Sequence, residues 1–185
     1  MTYFWDLLSE YGASQCLHCD GDEISYGELE RLSDDLFGTC DRGVAVILCN
    51  YNVETIAGYI GALRNRLVPL MLPGDVAQVA FEEYLAAYRP RYVWLDAARA
   101  AVIKERLAAR SIAGHLSYEL LEFSRLGDAP ELHPDLALLM PTSGSTGDPK
   151  LVRISRGNIQ SNAVSISRYL GIDDKDVAIT NLPLN

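Results

Sequence analysis

The sequence predicts an α/β protein in which a mainly parallel sheet is flanked by helices. Apolar runs without polar interruption, of which Val44–Cys49 is the clearest, are typical of strands buried on both faces of a parallel sheet. Segments with apolar residues at helical spacing separate these runs, as Ile56, Ile60 and Leu63 do after that strand. Because strands and helices alternate along the chain, the strands are expected to pair in parallel.

Each helix is predicted from its cap and its apolar spacing. Ser25 and Glu28 form a capping box, in which the hydroxyl accepts from a free backbone amide and the carboxylate reaches back. Asn52 caps the next helix, and Gly171 ends the last one, which begins near Asn158. Two further helices are predicted between these, at residues 75–88 and 99–109.

The remaining strands are predicted from short apolar runs that are bounded by polar segments. Besides Val44–Cys49, they lie at residues 67–70, 92–95, 136–140, 151–154 and 177–180. Residues 125–134 are polar and contain two prolines, so this segment is predicted to be a loop or linker.

Length and charge exclude several classes of partner. The chain has 185 residues, which suits one domain with its own core. Its 25 acidic and 16 basic residues give a formal net charge of −9, which argues against nucleic acid and anionic membranes as partners. No apolar window reaches the length of a membrane span, and the first residues lack the basic start of a secretory signal. The expected location is therefore the cytoplasm, where the four cysteines are free thiols.

Residues 16–19 read Cys-Leu-His-Cys and resemble a metal or redox motif at first sight. A zinc site would need a second closely spaced pair of ligands, which Cys40 and Cys49 do not provide. The segment is interpreted as a strand, in which Cys16 and Cys19 point to opposite faces and cannot grip one ion. The three histidines, at positions 18, 115 and 133, show no partner pattern for acid–base work and are interpreted as structural or exposed.

The most informative segment is residues 142–150, which read Thr-Ser-Gly-Ser-Thr-Gly-Asp-Pro-Lys between two predicted strands. Gly144 and Gly147 allow backbone conformations closed to other residues and leave room for a ligand. Successive exposed amides then form an anion-binding concavity, to which the four hydroxyls add donors. Lys150 supplies a compact positive charge suited to a phosphate. The pattern therefore predicts a phosphate-binding loop.

Other interpretations of this loop account for its residues less well. A solvated turn between strands is common, but such a turn requires neither a lysine at its exit nor so many hydroxyl groups. The P-loop frame of nucleoside triphosphatases would place glycine where Pro149 stands. The loop also lacks the patterns of a nucleophile elbow and of a dinucleotide fingerprint. A hydrolase that uses one of the serines would need a lysine poised to activate it, and Lys150 stands at the far end of the loop.

The loop resembles the phosphate-loop signature of the AMP-forming adenylating enzymes, the superfamily of acyl-CoA synthetases, nonribosomal adenylation domains and luciferases. Three further segments resemble elements of this family and occur in the family's order. They are Ile-Ser-Tyr-Gly-Glu-Leu at residues 24–29, the segment from Gly61 to the Val-Pro-Leu of residues 68–70, and the apolar strand at residues 135–139 that leads into the loop. The resemblance covers essentially the whole chain.

The resemblance implies a two-step reaction. A carboxylic acid attacks the α-phosphorus of ATP to give an acyl-adenylate and pyrophosphate, and a thiol of CoA or of a carrier protein then takes the acyl group. Mg²⁺ bridges phosphate oxygens, with Thr146 as the implied hydroxyl ligand in this chain. The residues implied to hold the β- and γ-phosphates are Thr142, Ser143, Gly144, Ser145, Thr146, Gly147 and Lys150.

Two positions depart from the family pattern. Leu151 stands where the family usually has glycine, and we expect it to make the exit of the loop less flexible. Arg156 stands where the family often has histidine. Arg153 and Arg156 are interpreted either as aids to phosphate steering or as parts of a solvated strand edge and helix start, and the sequence does not choose between the two.

Elements that the family needs for adenine, ribose, the hinge and the lysine of its small C-terminal domain are not found in the sequence. Residues 1–185 are therefore expected to be the N-terminal part of an AMP-binding domain that is inactive alone and contains no catalytic residue. The alternative is a non-catalytic nucleotide- or phosphate-binding or interaction module on a truncated ligase scaffold. Apolar surface left uncovered is expected to cause self-association.

Overall fold

The computed structural model describes residues 2–123, 130–142, 150–180 and Leu184, except for the side chain of Asp22. After a short 3-10 helix at Phe4–Asp6, the α-helices are α1 (Leu8–Tyr11), α2 (Tyr26–Phe37), α3 (Val53–Arg64), α4 (Gln78–Tyr88), α5 (Ala97–Leu107) and α6 (Arg156–Leu170). The strands are β1 (Gln15–Cys19), β2 (Asp22–Ser25), β3 (Val44–Cys49), β4 (Val68–Pro73), β5 (Tyr92–Asp96), β6 (Ala109–His115), β7 (Tyr118–Phe123), β8 (Leu136–Pro141) and β9 (Leu151–Ser155).

Seven strands form one sheet in the order β6-β7-β5-β3-β4-β8-β9. Its centre is parallel, because β3 pairs in parallel with both β4 and β5, and β4 pairs in parallel with β8. Its two sides are antiparallel, through β5–β7–β6 on one side and β8–β9 on the other. The predicted α/β class is confirmed, as a mixed sheet flanked by helices.

Strand β3 lies between two core clusters. Ala45, Ile47 and Cys49 face a cluster built with α2, α3 and the buried Trp5. The alternate residues of the strand face a second cluster, to which α4 and α5 contribute Phe81 and other apolar side chains. Because successive side chains of a strand point to opposite faces, an unalternating apolar strand needs cover on both. The result is a three-layer arrangement of helices, sheet and helices.

The predicted caps at Ser25, Asn52 and Gly171 are confirmed. The backbone amide of Glu28 donates to the Ser25 hydroxyl at 3.2 Å, and the Glu28 carboxylate accepts from the Ser25 amide at 2.9 Å. The Asn52 side chain accepts from the amide of Thr55 at 3.0 Å. Gly171 ends α6 in the left-handed region, with φ of 67°. These caps are local, so the sequence is sufficient to predict them.

Two segments differ from the sequence-based expectation. Strands β6 and β7 form a hairpin where the sequence predicted no strand, and α5 ends at Leu107, before the predicted residue 109. The predicted strand at residues 177–180 is wrong for this structure, in which these residues form no strand and Val177 and Ile179 are about nine-tenths exposed. Among the described strands, none hydrogen-bonds to them. Residues 130–135 carry no helix or strand, and residues 124–129 lie outside the described residues.

Cys16 and Cys19 lie in β1, whose pairing with β2 is irregular between Gln15 and Leu17. The Cys19 thiol donates to the carbonyl of Tyr51 at 3.4 Å. Burial raises the pKa of the Cys16 thiol, and the hydroxyl of Tyr26 opposes this by hydrogen bonding. The four cysteines all lie within the described residues and form no disulfide.

The closest packing of α3 on the sheet depends on Gly58. A Cβ atom at this position would lie 2.5 Å from Cδ1 of Trp94, and this indole is fully buried while its N–H donates to the carbonyl of Glu54 at 2.7 Å. Trp94 therefore cannot move aside. We expect Gly58→Ala to lower the free energy of unfolding by about 1–3 kcal/mol or more, measured by urea denaturation.

The control for this substitution is Gly157→Ala, also in a helix. A Cβ atom at Gly157 would lie 3.8 Å from Ser155 Oγ, an ordinary van der Waals contact, so the methyl group fits. We expect this variant to be neutral or up to about 1 kcal/mol more stable, because alanine favours a helix over glycine. Equal losses in both variants would contradict the packing argument.

Candidate functional site

The hairpin of β8 and β9 positions both ends of the predicted phosphate loop. Pro141 pairs with Leu151 as the last residue pair of the two strands. Beyond it, the backbone amide of Thr142 donates to the carbonyl of Lys150 at 3.0 Å, and the Thr142 hydroxyl donates to the same oxygen at 3.3 Å. The structure therefore joins the first and last residues of the loop at the mouth of a hairpin.

Two of the predicted site residues, Thr142 and Lys150, are described, and both are exposed. Residues 143–149 lie outside the described residues. The roles assigned from the sequence to Ser143, Gly144, Ser145, Thr146 and Gly147, including the metal-binding role of Thr146, therefore stay predictions.

Lys150 carries a charge that no acidic group neutralises in the described part of the chain. It has no ion pair there, although basic side chains elsewhere do have such partners. An exposed ammonium group without an ion pair in the described part of the chain is available to an anion from solution. Because the net charge of −9 repels anions, an anion would need such a local positive charge.

The mouth of the loop lies at the carboxyl edge of the parallel strands. Leu70 of β4 pairs with Leu139 of β8, so that Thr142 comes level with Pro73, the last residue of β4. Pro73 in turn pairs with Cys49 of β3. The carboxyl ends of β8, β4 and β3 thus lie side by side, and ligands of open α/β sheets bind beyond this edge, where connections diverge to the two faces.

The carboxyl edge next to the hairpin is held by hydrogen bonds. The side-chain amide of Asn50 donates to the Tyr118 hydroxyl at 2.5 Å. Gly74 follows β4 close to Asn50, since a Cβ atom there would overlap the Asn50 side chain. The Arg99 guanidinium fixes the same turn by donating to the carbonyls of Gly74 and Val76 at 2.6 and 2.7 Å. This side of the candidate site is therefore held by contacts between residues that are distant in sequence.

A buried carboxylate at this edge was missed from the sequence. Glu54 in the first turn of α3 is 4% exposed, and its Oε1 lies 3.8 Å from Nδ1 of His115 at the end of β6. The sequence interpretation of His115 found no partner for it, because 61 positions separate the two residues (115 − 54) and the β6–β7 hairpin was not predicted. Only the fold brings the two side chains together.

Arg153, within β9, and Arg156, directly after it, have different surroundings. Arg153 is exposed in the middle of the strand. Arg156 is buried at its far end, where its Nη1 donates to the carbonyl of Leu63 at 3.0 Å. Burial lowers the pKa of the Arg156 guanidinium, and the nearby charges of Arg66 and Arg42 lower it further. Within the described residues Arg156 thus contacts the end of α3, and its role in phosphate steering, one of the two interpretations from the sequence, stays a prediction.

Leu151 is half-buried and packs against the second core cluster. A glycine at this position would lack that contact. Leu151 is thus a hydrophobic anchor directly after Lys150, and its effect on the flexibility of the loop exit stays a prediction.

Two features, a membrane-spanning helix and a metal-binding cluster, are both absent from the described residues. None of the described helices is both long enough and apolar enough to cross a bilayer. Among the side chains described, no three His, Cys, Asp or Glu residues converge on one point where a metal ion could bind.

The fold and the hairpin define an α/β domain that carries a glycine- and hydroxyl-rich loop, ending in lysine, at the carboxyl edge of its sheet. The family described as AMP-binding enzyme matches residues 5–185, and the chain belongs to this family. The resemblance to the AMP-forming adenylating enzymes is thereby confirmed.

Two curated proteins and one solved structure illustrate the relationship. The chain is 38% identical over 183 residues to the indoleacetate–CoA ligase of Aromatoleum aromaticum, which covers 88% of the chain and 36% of the ligase. It is 25% identical over 180 residues to the non-ribosomal peptide synthetase CmlP of Streptomyces venezuelae, which covers 92% of the chain and 19% of the synthetase.

The solved structure is that of o-succinylbenzoate CoA synthetase (MenE) from Bacillus subtilis in complex with the acyl-adenylate intermediate OSB-AMP. It matches with a TM-score of 0.72 at 20% identity, over 99% of this chain and 50% of MenE. The likeness shows a common fold. The chain thus spans half or less of the length of these three relatives.

Cys49 is the last residue of β3 and directly precedes Asn50 at the carboxyl edge. Burial raises the pKa of the Cys49 thiol to about 12. At pH 8 only about one such thiol in ten thousand is ionised, so it is a poor nucleophile. We expect Cys49 to remain unmodified by iodoacetamide at pH 8 in the folded protein and to react fully in concentrated urea, measured by peptide mass spectrometry. Rapid labelling of Cys49 in the folded protein would show that the carboxyl edge opens.

Proposed function

We propose that the chain is the phosphate-binding part of an ATP-dependent ligase that activates a carboxylic acid as an acyl-adenylate and releases pyrophosphate. The observation that carries the proposal is the closed mouth of the β8–β9 hairpin in a member of the AMP-binding enzyme family. The mouth presents Lys150, which has no ion pair among the described residues, at the carboxyl edge. The acyl group is then passed to a thiol, of CoA or of a carrier protein.

Lys150 and the loop have a defined task in this proposal. The ammonium group of Lys150 and the hydroxyl of Thr142 bind the β- and γ-phosphates together with the amides and hydroxyls of residues 143–147. Each hydrogen bond to a charged phosphate oxygen contributes about 1.5–3 kcal/mol. Held in this way, the phosphates are positioned for attack, and the negative charge that grows on the departing pyrophosphate is neutralised.

Mg²⁺ is the metal we propose at this site. Magnesium prefers oxygen ligands and keeps several waters, and a site with few protein carboxylates suits it when phosphate oxygens complete the coordination. Thr146 offers the hydroxyl oxygen proposed as the protein ligand. When bound, the ion neutralises charge on the phosphate oxygens.

The substrate and the acceptor are proposed by class only. A carboxylic acid and a CoA or carrier-protein thiol are supported by the names of the relatives, a CoA ligase and a non-ribosomal peptide synthetase. A cytoplasmic location is proposed because the reaction uses ATP.

The direct test is the titration of Mg-ATP into the chain by calorimetry. We expect Lys150→Ala to weaken binding about tenfold or more, because a charged hydrogen bond to phosphate is lost. The matched control is Lys175→Ala, which removes the same charge from an exposed position after α6. The proposal fails if wild type does not bind Mg-ATP, or if both variants bind like wild type.

Binding is separated from catalysis by a second assay. We propose that the chain of 185 residues alone does not support carboxylate-dependent exchange between ATP and pyrophosphate, because the relatives extend well beyond the part it matches. Exchange measured with the purified chain would contradict this. The exchange assay is then repeated with the chain extended by residues that match the rest of the relatives. If the extended chain also binds Mg-ATP without exchange, the alternative of a non-catalytic nucleotide-binding module is favoured.

Self-association is proposed for the apolar surface beside the hairpin. A groove of about 810 Å³ lies between β8–β9 and α6, with Met140, Ile159 and Ile166 in its lining. Tyr169 and Val177 expose about nine-tenths of their surface. Exposed apolar area of this kind favours association. We expect multi-angle light scattering to show a mass above 20.4 kDa that rises with concentration, and a monodisperse monomer would refute this.

A further inference from the structure

Two arginine side chains fasten the base of the β8–β9 hairpin to the end of α3. Arg156 follows β9 directly, and its Nη1 donates to the carbonyl of Leu63 in the last turn of α3 at 3.0 Å. Arg42 donates to the carbonyl of Arg66, just after α3, at 2.8 Å, and to that of Leu136 at the start of β8 at 3.2 Å. The carbonyls at the end of a helix carry partial negative charge, which suits a guanidinium.

Stability alone does not explain Arg156. Its side chain is 9% exposed, and among the described residues its Nε and Nη2 atoms have no hydrogen-bond partner. Removing a charged group from water is costly, and replacing such a group by an apolar side chain of similar size is often neutral or stabilising. The guanidinium is therefore expected to serve the position of the element that it joins to α3.

That element is attached to the rest of the sheet on one side only. Strand β9 is the last in the strand order, and β8 meets β4 through the pairing of Leu139 with Leu70. The angle between the hairpin and β4 therefore depends on the base of the hairpin, where β8 begins and β9 ends. At this base the Arg156 amide also donates to the carbonyl of Asp135 at 3.2 Å. Lys150 lies six residues before Arg156, about 20 Å away along an extended strand, so a small rotation at the base displaces the mouth of the loop.

We propose that Arg156 is a positioning residue, which holds the base of the β8–β9 hairpin on the end of α3 and so fixes where Thr142 and Lys150 meet the phosphates. The inference rests on the proposed function. Among the described residues Arg156 donates to Leu63 and Asp135, so in this proposal it acts through the backbone of β9.

The test compares Arg156→Met with Arg153→Met. Both substitutions remove one positive charge from the same hairpin, and Arg153 is three residues closer to Lys150 and exposed. Two quantities are measured: hydrogen exchange of the Thr142 amide, which donates to Lys150 across the mouth, and the dissociation constant of Mg-ATP. Exchange does not depend on nucleotide, so it reports on the hairpin even if the proposed function fails.

For Arg156→Met we expect the Thr142 amide to exchange about tenfold faster, while the amides of β3 and the urea midpoint stay unchanged or improve. Mg-ATP binding should weaken about fivefold or more, because the phosphate-binding groups are misplaced. Arg153→Met should leave the exchange and the binding within about twofold of wild type. Arg156→Lys, which can still donate to Leu63, should restore most of the protection of Thr142.

Several results would overturn the inference. Unchanged Thr142 exchange in Arg156→Met would show that the base does not control the mouth. Equal loss of Mg-ATP binding in Arg153→Met would assign the effect to charge. If Arg156→Met does not fold, Arg156→Gln provides the same contrast without a buried charge. If Arg156→Met and Arg156→Gln both speed hydrogen exchange in β3 as well as at Thr142, Arg156 is a general stabilising residue and not a positioning residue. A wild type that binds no Mg-ATP refutes the proposed function, not the anchoring.

Discussion

Burial of strand β3 on both faces is the constraint on which the rest of the structure depends. All six of its residues are buried, and it pairs in parallel with β4 on one side and β5 on the other. Since its side chains alternate between two core clusters, helices must cover both faces of the sheet. The connection after β3 leads to α3 on one face, and those after β4 and β5 lead to α4 and α5 on the other. The chain therefore diverges to the two faces at the carboxyl edge.

The candidate site follows from this divergence. Strand β8 adds to β4, so the loop after β8 begins at the same edge as the ends of β3 and β4. An antiparallel return through β9 brings Lys150 back to Thr142, and the two residues close the loop with backbone and hydroxyl hydrogen bonds. In a chain with net charge −9, a lysine without an ion pair among the described residues attracts an anion best beside many neutral donors. That residues 143–147 supply such donors stays a prediction.

The sequence predicted the features that are local. The apolar run of β3, the capping box of α2, the Asn52 cap and the Gly171 terminus all depend on residues within one turn or one strand. The β6–β7 hairpin was missed because its turn has Leu116 at φ 48°, where glycine or asparagine would have given the usual signal. The strand predicted at residues 177–180 has the right apolar pattern, but a strand also needs a partner to pair with.

The same distinction applies within the site. The chemistry of the predicted phosphate loop lies in consecutive residues, so the motif alone predicts its class and its lysine. The place of the described loop ends, Thr142 and Lys150, depends on contacts between residues far apart in sequence. Arg156 and Leu63 are 93 positions apart, and no periodicity links an arginine at the start of one helix to a carbonyl at the end of another. A motif therefore predicts what a loop can bind, whereas the fold determines where it binds. Residues outside the motif, such as Arg156, are then expected to influence affinity without touching the ligand.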